Sequence, residues 1–192
     1  MTSPLANTKS ILREQIRARL KSIPAAECDA ASAEACELLR QQAFWKNSHA
    51  ILIFAPLHEE LNVWPLIQIA LDAGKVVALP RFDPGTNKYS AHQIRNLSDD
   101  IASGKFGIRE PKNYCPAVPL NRLDLVLVPG VAFDLHGRRL GRGKGFYDQL
   151  LASVRGTTCG VAFDEQIVAE IPVEPHDVQL NCILTPTRWI EP

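Results

Sequence analysis

A glycine-rich, basic segment in the second half of the chain has the composition of a phosphate-binding loop. Residues 137–145 read GRRLGRGKG, so that Arg142 and Lys144 alternate with glycines. Glycine lets backbone N–H groups approach an anion closely, and basic side chains supply the countercharge. The segment therefore predicts a site for a phosphorylated ligand, with a polyphosphate favoured. A solvated turn with incidental charges is the simpler alternative.

The spacing within this segment excludes the two commonest phosphate loops. A Walker A loop needs a glycine five residues before its Gly-Lys pair and a hydroxyl residue after it, but this chain has Arg138 and Gly145 there. A dinucleotide fingerprint that starts at Gly141 would need a glycine where this chain has Phe146. Such a fingerprint also belongs near the first strand of a fold. The segment is therefore a phosphate loop of a different design.

Three further charged residues are candidates for the same site. Asp148 follows the loop, where it could bind Mg²⁺ beside phosphate oxygens or pair with the basic side chains. Lys9 and Arg13 are four residues apart, which puts both on one face of a helix. Taken alone, that spacing is more typical of a solvated basic helix edge.

The apolar pattern around these residues predicts an α/β protein. Helical periodicity covers residues 8–23, 26–44, 63–73 and 149–154, and short strand-like runs cover residues 50–55, 75–80, 89–94, 124–129, 158–163 and 182–185. Strand, helix and strand over residues 50–80 form a βαβ unit, which implies a parallel sheet. Loops and edge strands are expected over residues 81–122. We expect one domain over residues 1–192, with residues 1–7 flexible.

Composition narrows the classes of protein. The 192 residues carry 21 basic and 21 acidic side chains, which gives none of the basic excess that nucleic-acid binding needs. Five cysteines without a CxxC pair favour free buried thiols over a disulfide framework or a zinc site. Neither a signal peptide nor a membrane-spanning run is apparent, so a cytoplasmic location is expected.

The segment PGVAFDLHGRRLGRGKGFYD, residues 129–148, resembles the signature of the 5-formyltetrahydrofolate cyclo-ligase family, PGxxFDxxGxRLGxGxGYYD. Phe146 replaces the first tyrosine of that pattern, so its ring offers only apolar contact. Further matches follow the same order over nearly the whole chain: KxxLR at residues 9–13, Glu59-Glu60, Pro80-Arg81, AFDEQI at residues 162–167 and HD at residues 176–177.

The resemblance implies a fold and a reaction. The expected fold is a single-domain, three-layer α/β/α structure with a mostly parallel sheet, of the NagB/RpiA/CoA-transferase-like kind. The expected reaction is the ATP- and Mg²⁺-dependent cyclisation of 5-formyltetrahydrofolate to 5,10-methenyltetrahydrofolate, with release of ADP and phosphate through a phosphorylated formyl intermediate. The implied enzyme is a monomer without nucleic-acid or membrane partners.

The resemblance also assigns roles to residues. Lys144 and Arg142 would be catalytic, Asp148 and Asp177 would bind the metal, and the residues alone leave Asp177 open as a turn cap or a partner of His176. ATP would contact Lys9, Arg13, Arg139, Leu140, Gly141, Arg142, Gly143, Lys144, Gly145, Phe146 and Tyr147. The folate would contact Ala55, Glu60, Arg142, Gly143, Lys144, Gly145 and Phe146.

Two other functions are compatible with the residues. Layered α/β folds also carry sugar-phosphate isomerases and CoA transferases, which would need a catalytic glutamate near the loop. An RNA-binding module could use Arg138, Arg139, Arg142 and Lys144 as a basic patch, although the zero net charge opposes that interpretation.

Overall fold

A computed structural model describes residues 4–104, 107–175 and 177–192. The helices are α1 (Pro4–Lys21), α2 (Ala25–Gln41), α3 (Ala43–Asn47), α4 (Trp64–Asp72) and α5 (Phe146–Leu151). The strands are β1 (Ala50–Leu52), β2 (Val76–Asp83), β3 (Lys88–Ile94), β4 (Ile101–Ser103), β5 (Arg109–Pro111), β6 (Ala117–Val118), β7 (Leu125–Pro129), β8 (Ala132–Asp134), β9 (Arg139–Leu140), β10 (Thr157–Val161), β11 (Ile167–Val168), β12 (Cys182–Leu184) and β13 (Trp189–Ile190).

The main sheet has eight strands in the order β13-β12-β10-β7-β1-β2-β3-β6. Its centre, from β12 to β2, is parallel, while β13, β3 and β6 pair antiparallel at the two edges. The predicted βαβ unit is β1-α4-β2, with Ala50 opposite Val76 in parallel register. The expected mostly parallel sheet is therefore confirmed.

Alternate side chains of the central strands enter two separate apolar layers. In β7, Leu125 and Leu127 join α2 and α4 on one face of the sheet, while Val126 and Val128 join α5 on the other. All four are completely buried, as expected for strands covered on both faces. This arrangement gives the predicted three-layer α/β/α architecture.

A smaller sheet, in the order β11-β8-β9, lies beside the main one. Its strands β8 and β9 form a hairpin through residues 135–138, a segment called here the hairpin turn. Helix α1 packs on this small sheet, because its buried Ile16 shares an apolar cluster with Ala132, Leu140 and Ile171. The amino-terminal helix is thereby brought to the glycine-rich segment.

Several boundaries differ from the sequence-based prediction. Helix α1 begins at Pro4, so residues 4–7, expected to be flexible, are helical, and residues 1–3 lie outside the described residues. The predicted helix 26–44 is two helices, since Gln42 is extended between α2 and α3. The glycine-rich segment is not all loop: β9 occupies its centre, and α5 starts at Phe146 rather than at residue 149.

Two remaining sequence expectations concern thiols and membranes. All five cysteines are free, and four of them are buried, with Cys28 half-buried. Within the described ranges, no helix is both long and apolar enough to cross a membrane.

The hairpin turn depends on Gly137, which has a φ of 73°. A Cβ at this position would lie 2.5 Å from the carbonyl oxygen of Leu180, whereas Gly74, with a φ of 71°, has no atom within 4 Å of its own Cβ position. We expect Gly74→Ala to lower the free energy of unfolding by only ~1 kcal/mol. Gly137→Ala should cost at least ~1 kcal/mol more, because the steric clash adds to the conformational cost.

Urea unfolding of both variants beside the wild type measures this difference. Equal losses in the two variants would show that the hairpin turn tolerates a side chain at residue 137.

Candidate active site

The candidate site lies at the carboxyl ends of β1 and β7. The chain passes from β1 to β2 on one side and later returns to place β7 on the other side of β1. Ligands of open α/β sheets bind at such a reversal of strand order, where connecting loops separate and leave a crevice. Here the crevice is a cavity of about 360 Å³.

The cavity brings together most of the residues that the sequence singled out. The lining residues among them are Ala55, Glu60, Arg139, Gly141, Arg142, Lys144, Gly145, Phe146, Tyr147 and Asp148. Gly143 lies beside Arg13 instead, and Leu140 points its buried side chain into the cluster beneath α1. Lys9, Arg13 and Asp177 also lie outside the lining, although contacts described below connect them to it.

Aromatic rings form one wall of the cavity. Tyr89, Phe146 and Tyr147 line it, and Phe82 packs behind them at 5.5 Å from Tyr89 and 5.4 Å from Phe146, centroid to centroid. Both contacts are edge-to-face, a geometry that fixes the orientation of each ring. A wall of this kind suits a flat, conjugated ligand.

A buried carboxylate lines the same cavity. The Glu60 side chain is only 8% exposed, and its Oε2 accepts a hydrogen bond from the Leu57 amide at 2.9 Å. Its Oε1 accepts one from Nη2 of Arg142 at 3.0 Å, while Glu59 lies 3.8 Å from the same guanidinium. The predicted acidic turn and the predicted loop cation are thus in direct contact.

Arg139 is a buried structural residue rather than an exposed loop cation. Its side chain is 4% exposed and donates to Oδ1 of Asp148 at 2.6 Å and to the Pro129 carbonyl at 3.3 Å. The guanidinium also lies 5.7 Å from the Tyr147 ring centroid, a cation–π distance. Arg139 therefore connects β9, the end of β7 and the first turn of α5.

Lys9 is held by two carboxylates. Its Nζ donates to Glu174 and to Asp177, both at 2.8 Å, and its side chain is 8% exposed. Burial acts to lower the pKa of Lys9, but the hydrogen bonds to Asp177 and Glu174 outweigh it and raise the pKa above 10.5. Asp177, which the resemblance assigns to the metal, is a partner of Lys9 here, and His176 lies outside the described residues.

Two cations near the cavity lie outside these ion pairs. Arg13 donates from Nε to the Gly141 carbonyl at 2.9 Å, and burial and the neighbouring Arg17 lower its pKa, while the charges of Asp177 and Glu174 act in the opposite direction. Lys144 is exposed at the cavity rim. Over residues 4–104, 107–175 and 177–192, neither has a carboxylate within ion-pair distance. Their charges are available to an anion.

The same contacts argue against a basic patch for RNA. Arg138 pairs with Glu170 at 3.0 Å, Arg139 with Asp148, and Arg142 with Glu60. Three of the four cations that this alternative needs are therefore neutralised by nearby carboxylates.

The predicted metal ligands do not form a ready-made cluster. Asp148 is paired with Arg139 and Asp177 with Lys9. In the part of the chain that the structure describes, no group of three or more His, Cys, Asp or Glu side chains is arranged to hold a metal ion.

Sequence reasoning missed Glu110, a carboxylate behind the cavity wall. It is 7% exposed on β5, where Oε2 accepts the Phe82 amide at 3.4 Å and Oε1 has no partner among the described residues. Burial raises its pKa, although the Phe82 amide and the charge of Arg81 act in the opposite direction. Ile108, which directly precedes β5, lines the cavity. Apolar patterning gives no signal for a carboxylate that folding buries within an irregular region.

Comparisons with known proteins point to one family. A model of the 5-formyltetrahydrofolate cyclo-ligase family matches residues 5–186. The 5-formyltetrahydrofolate cyclo-ligase of Escherichia coli K12 is 36% identical over 149 residues, covering 73% of this chain and 80% of that protein. The mouse 5-formyltetrahydrofolate cyclo-ligase is 30% identical over 195 residues, covering 93% of each.

Solved structures give the same result. The structure of 5,10-methenyltetrahydrofolate synthetase from Aquifex aeolicus superposes with a TM-score of 0.87 at 30% identity, over 95% of this chain and 92% of that one. A 5,10-methenyltetrahydrofolate synthetase from Mycoplasma pneumoniae gives 0.75 at 20% identity, over 93% and 98%, which shows the shared fold.

Because the pKa of Glu110 is raised above 4.5 in the folded protein, its contribution to stability is present at low pH and is lost as the pH rises. We expect the wild type to lose free energy of unfolding relative to Glu110→Gln between about pH 4 and pH 7. Urea unfolding over a pH series measures this difference.

Glu34→Gln, which removes an exposed carboxylate from α2, is the matched control and should leave the pH dependence close to that of the wild type. A wild type that gains stability over Glu110→Gln with rising pH would contradict the assignment.

Proposed function

The chain belongs to the 5-formyltetrahydrofolate cyclo-ligase family, and on that premise we propose that it closes 5-formyltetrahydrofolate to 5,10-methenyltetrahydrofolate at the expense of ATP, with Mg²⁺. One observation carries the proposal for the site: a single cavity joins an aromatic wall, a buried carboxylate and an uncompensated cation. A flat heterocycle with N–H donors and a polyphosphate both find complementary chemistry there.

The reaction needs phosphorylation because the formyl oxygen is a poor leaving group. In the proposed first step that oxygen attacks the γ-phosphorus of ATP, and the bond to ADP breaks. The lone pair of N10 then attacks the formyl carbon, the carbon–oxygen bond breaks with release of phosphate, and N10 loses its proton. The protein's contribution is to position two substrates and neutralise developing negative charge.

The folate is proposed to contact Glu60 and the aromatic rings, which line the same cavity. A carboxylate with two oxygens can accept adjacent N–H donors of the pterin ring in a bidentate manner. Phe146 and Tyr89 supply apolar surface, with ring centroids 5.4 Å apart, and Ala55 leaves room because its side chain is small. Gly143, Lys144 and Gly145 would border the folate from the loop.

ATP is proposed to occupy the side nearest α1. Lys144 and Arg13 lie close to the cavity and pair with no carboxylate of the described residues, so they are the first to attract phosphate oxygens. Arg142 is held by Glu60 at the junction of the two proposed subsites, where it can stabilise the phosphoryl group in transfer. Leu140 and Gly141 contribute backbone groups, since the Leu140 side chain is buried.

Asp148 fits a role as Mg²⁺ ligand. It lines the cavity, and Oδ2 has no hydrogen-bond partner among the described residues, while Oδ1 is held by Arg139. Mg²⁺ usually takes one or two carboxylates together with phosphate oxygens and waters. Asp177 fits less well, since its Oδ2 binds Lys9 and the Glu174 amide. We propose that Asp177 becomes the second Mg²⁺ ligand only when a phosphate group of ATP replaces it as the partner of Lys9.

The bound metal would neutralise phosphate charge during transfer. A monomeric state, a cytoplasmic location and the absence of nucleic-acid and membrane partners stay predictions.

Lys144→Ala tests the phosphate role of the loop. The purified wild type, given 5-formyltetrahydrofolate, ATP and Mg²⁺, should produce the absorbance of methenyltetrahydrofolate. In the variant we expect kcat/KM for ATP to fall about 100-fold, because an uncompensated cation facing the transferred phosphate is lost. The fold should be retained, since Lys144 is exposed and unpaired in the described part of the chain.

Lys46→Ala is the matched control, because Lys46 is exposed on α3, just before β1 begins. This is the end of the sheet opposite to the carboxyl ends of β1 and β7, where the cavity lies. A folded wild type without turnover overturns the proposed function. Unchanged kinetics of Lys144→Ala beside an active wild type would instead remove the loop from ATP binding.

Asp148→Asn tests the metal assignment. We expect the Mg²⁺ concentration for half-maximal rate to rise about tenfold or more, because one anionic oxygen ligand is replaced by a neutral amide. Asp72→Asn, at the exposed end of α4, is the control and should titrate like the wild type. Superimposable Mg²⁺ titrations of Asp148→Asn and wild type would show that this carboxylate serves only as the partner of Arg139.

A further inference from the structure

The carboxylates that hold Lys9 belong to a segment without regular secondary structure. Between β11 and β12, the described residues of 169–181 form neither helix nor strand, and this stretch is called here the connecting segment. It carries Glu174 and Asp177, the partners of Lys9. Its position must therefore be set by tertiary contacts rather than by the regular backbone hydrogen bonds of a helix or a strand.

The β8–β9 hairpin supplies those contacts at both ends of the connecting segment. At the first end, the Ile171 amide donates to Oδ2 of Asp134 at 2.9 Å. At the second end, the Leu180 amide donates to the Gly137 carbonyl at 2.8 Å, and the Gln179 side chain donates to the His136 carbonyl. The carboxylates that face Lys9 lie between these two attachments.

Asp134 fixes the turn as well as the segment. Its side chain is completely buried, and its Oδ1 accepts the amides of His136 at 2.9 Å and Arg138 at 3.1 Å. Nη1 of Arg138 lies 3.8 Å from Oδ2 and 3.0 Å from Glu170. A buried carboxylate with three amide donors is strongly constrained, because losing any of them leaves charge unsatisfied in a low-dielectric interior.

A continuous set of contacts therefore runs from Asp134 to the glycine-rich loop. The Ile171 amide places the connecting segment, whose Glu174 and Asp177 hold Lys9 of α1. One turn further along α1, Arg13 donates to the Gly141 carbonyl of the loop. Within the described residues, the Asp134 carboxylate forms no hydrogen bond to a residue that lines the cavity. Any effect of Asp134 on a ligand is therefore indirect.

We propose that Asp134 is a positioning residue for nucleotide binding: by accepting the Ile171 amide, it places the connecting segment so that Glu174 and Asp177 set the position of Lys9. The inference rests on the proposed function, in which ATP lies nearest α1, where its phosphate oxygens attract Arg13 and take over Lys9. It assigns the aspartate of the FD pair in the signature to the geometry of the proposed phosphate site rather than to contact with ligand.

Asp134→Asn is the main test. A single amide oxygen cannot replace two carboxylate oxygens, and the new NH₂ group must face a backbone donor. We expect KM for ATP, and Kd for a non-hydrolysable ATP analogue by titration calorimetry, to rise about tenfold. KM for 5-formyltetrahydrofolate should stay within about twofold. Amide hydrogen exchange over residues 167–175 should accelerate, while exchange in the central strands should not.

The matched control is Asp124→Asn. Oδ2 of Asp124 accepts hydrogen bonds from the amides of His49 at 2.8 Å and Ala50 at 2.9 Å. These groups lie where β1 and β7 begin, at the end of the sheet away from the cavity. Asp124→Asn should lower thermal stability without changing KM for ATP. If Asp134→Asn does not fold, Arg138→Met weakens the same carboxylate site while keeping its amide donors, and KM for ATP should rise about twofold to threefold.

Three results would overturn the positioning role. One is an unchanged Kd for the nucleotide in a folded variant. Another is an equal rise of both KM values, which indicates general loosening. The third is faster exchange over residues 167–175 without any loss of nucleotide affinity. The calorimetric arm needs no turnover, so it separates this inference from failure of the proposed reaction itself.

Discussion

Positive charges gathered around one cavity repel one another, and the fold must hold them together. Carboxylates from distant parts of the chain do so: Glu174 and Asp177 for Lys9, Asp148 for Arg139, and Glu60 for Arg142. Two cations close to the cavity, Arg13 and Lys144, form no ion pair with a carboxylate of the described residues. This division separates charges that build the site from charges left over for a ligand.

The signature segment, residues 129–148, is also divided into two parts. Its first half, through Arg139, forms the β8–β9 hairpin and its contacts, with Asp134 and Arg139 both buried. Its second half, from Gly141 to Asp148, lines the cavity except at Gly143. Pro129, Gly130 and Arg139 of the first half also line the cavity. A motif of twenty residues that looks like one phosphate loop is thus a hairpin followed by a stretch of cavity wall.

Sequence patterns predicted the layered parallel sheet and its central strands well, because buried β-branched runs and the βαβ order are local signals. They located Glu60, Arg142, Lys144 and Asp148 in one site through a family resemblance, and the cavity brings those residues together. They gave no sign that Arg139 is buried, because a charged run does not show that Arg139 of β9 pairs with Asp148 of α5. Glu110 and Glu174 were missed for a related reason, since their partners are set by tertiary contacts that no spacing along the chain reveals.

The connecting segment is attached through backbone groups: the amides of Ile171 and Leu180 and the carbonyl of Gly137. Such attachment depends little on which side chains are present, apart from Gln179, whose side chain donates to the His136 carbonyl, and the two carboxylates that meet Lys9. A short-motif search would pass over this stretch, since only scattered positions take part in these contacts. Substitutions between the attachments would change the surroundings of Lys9 while leaving the β8–β9 hairpin in place.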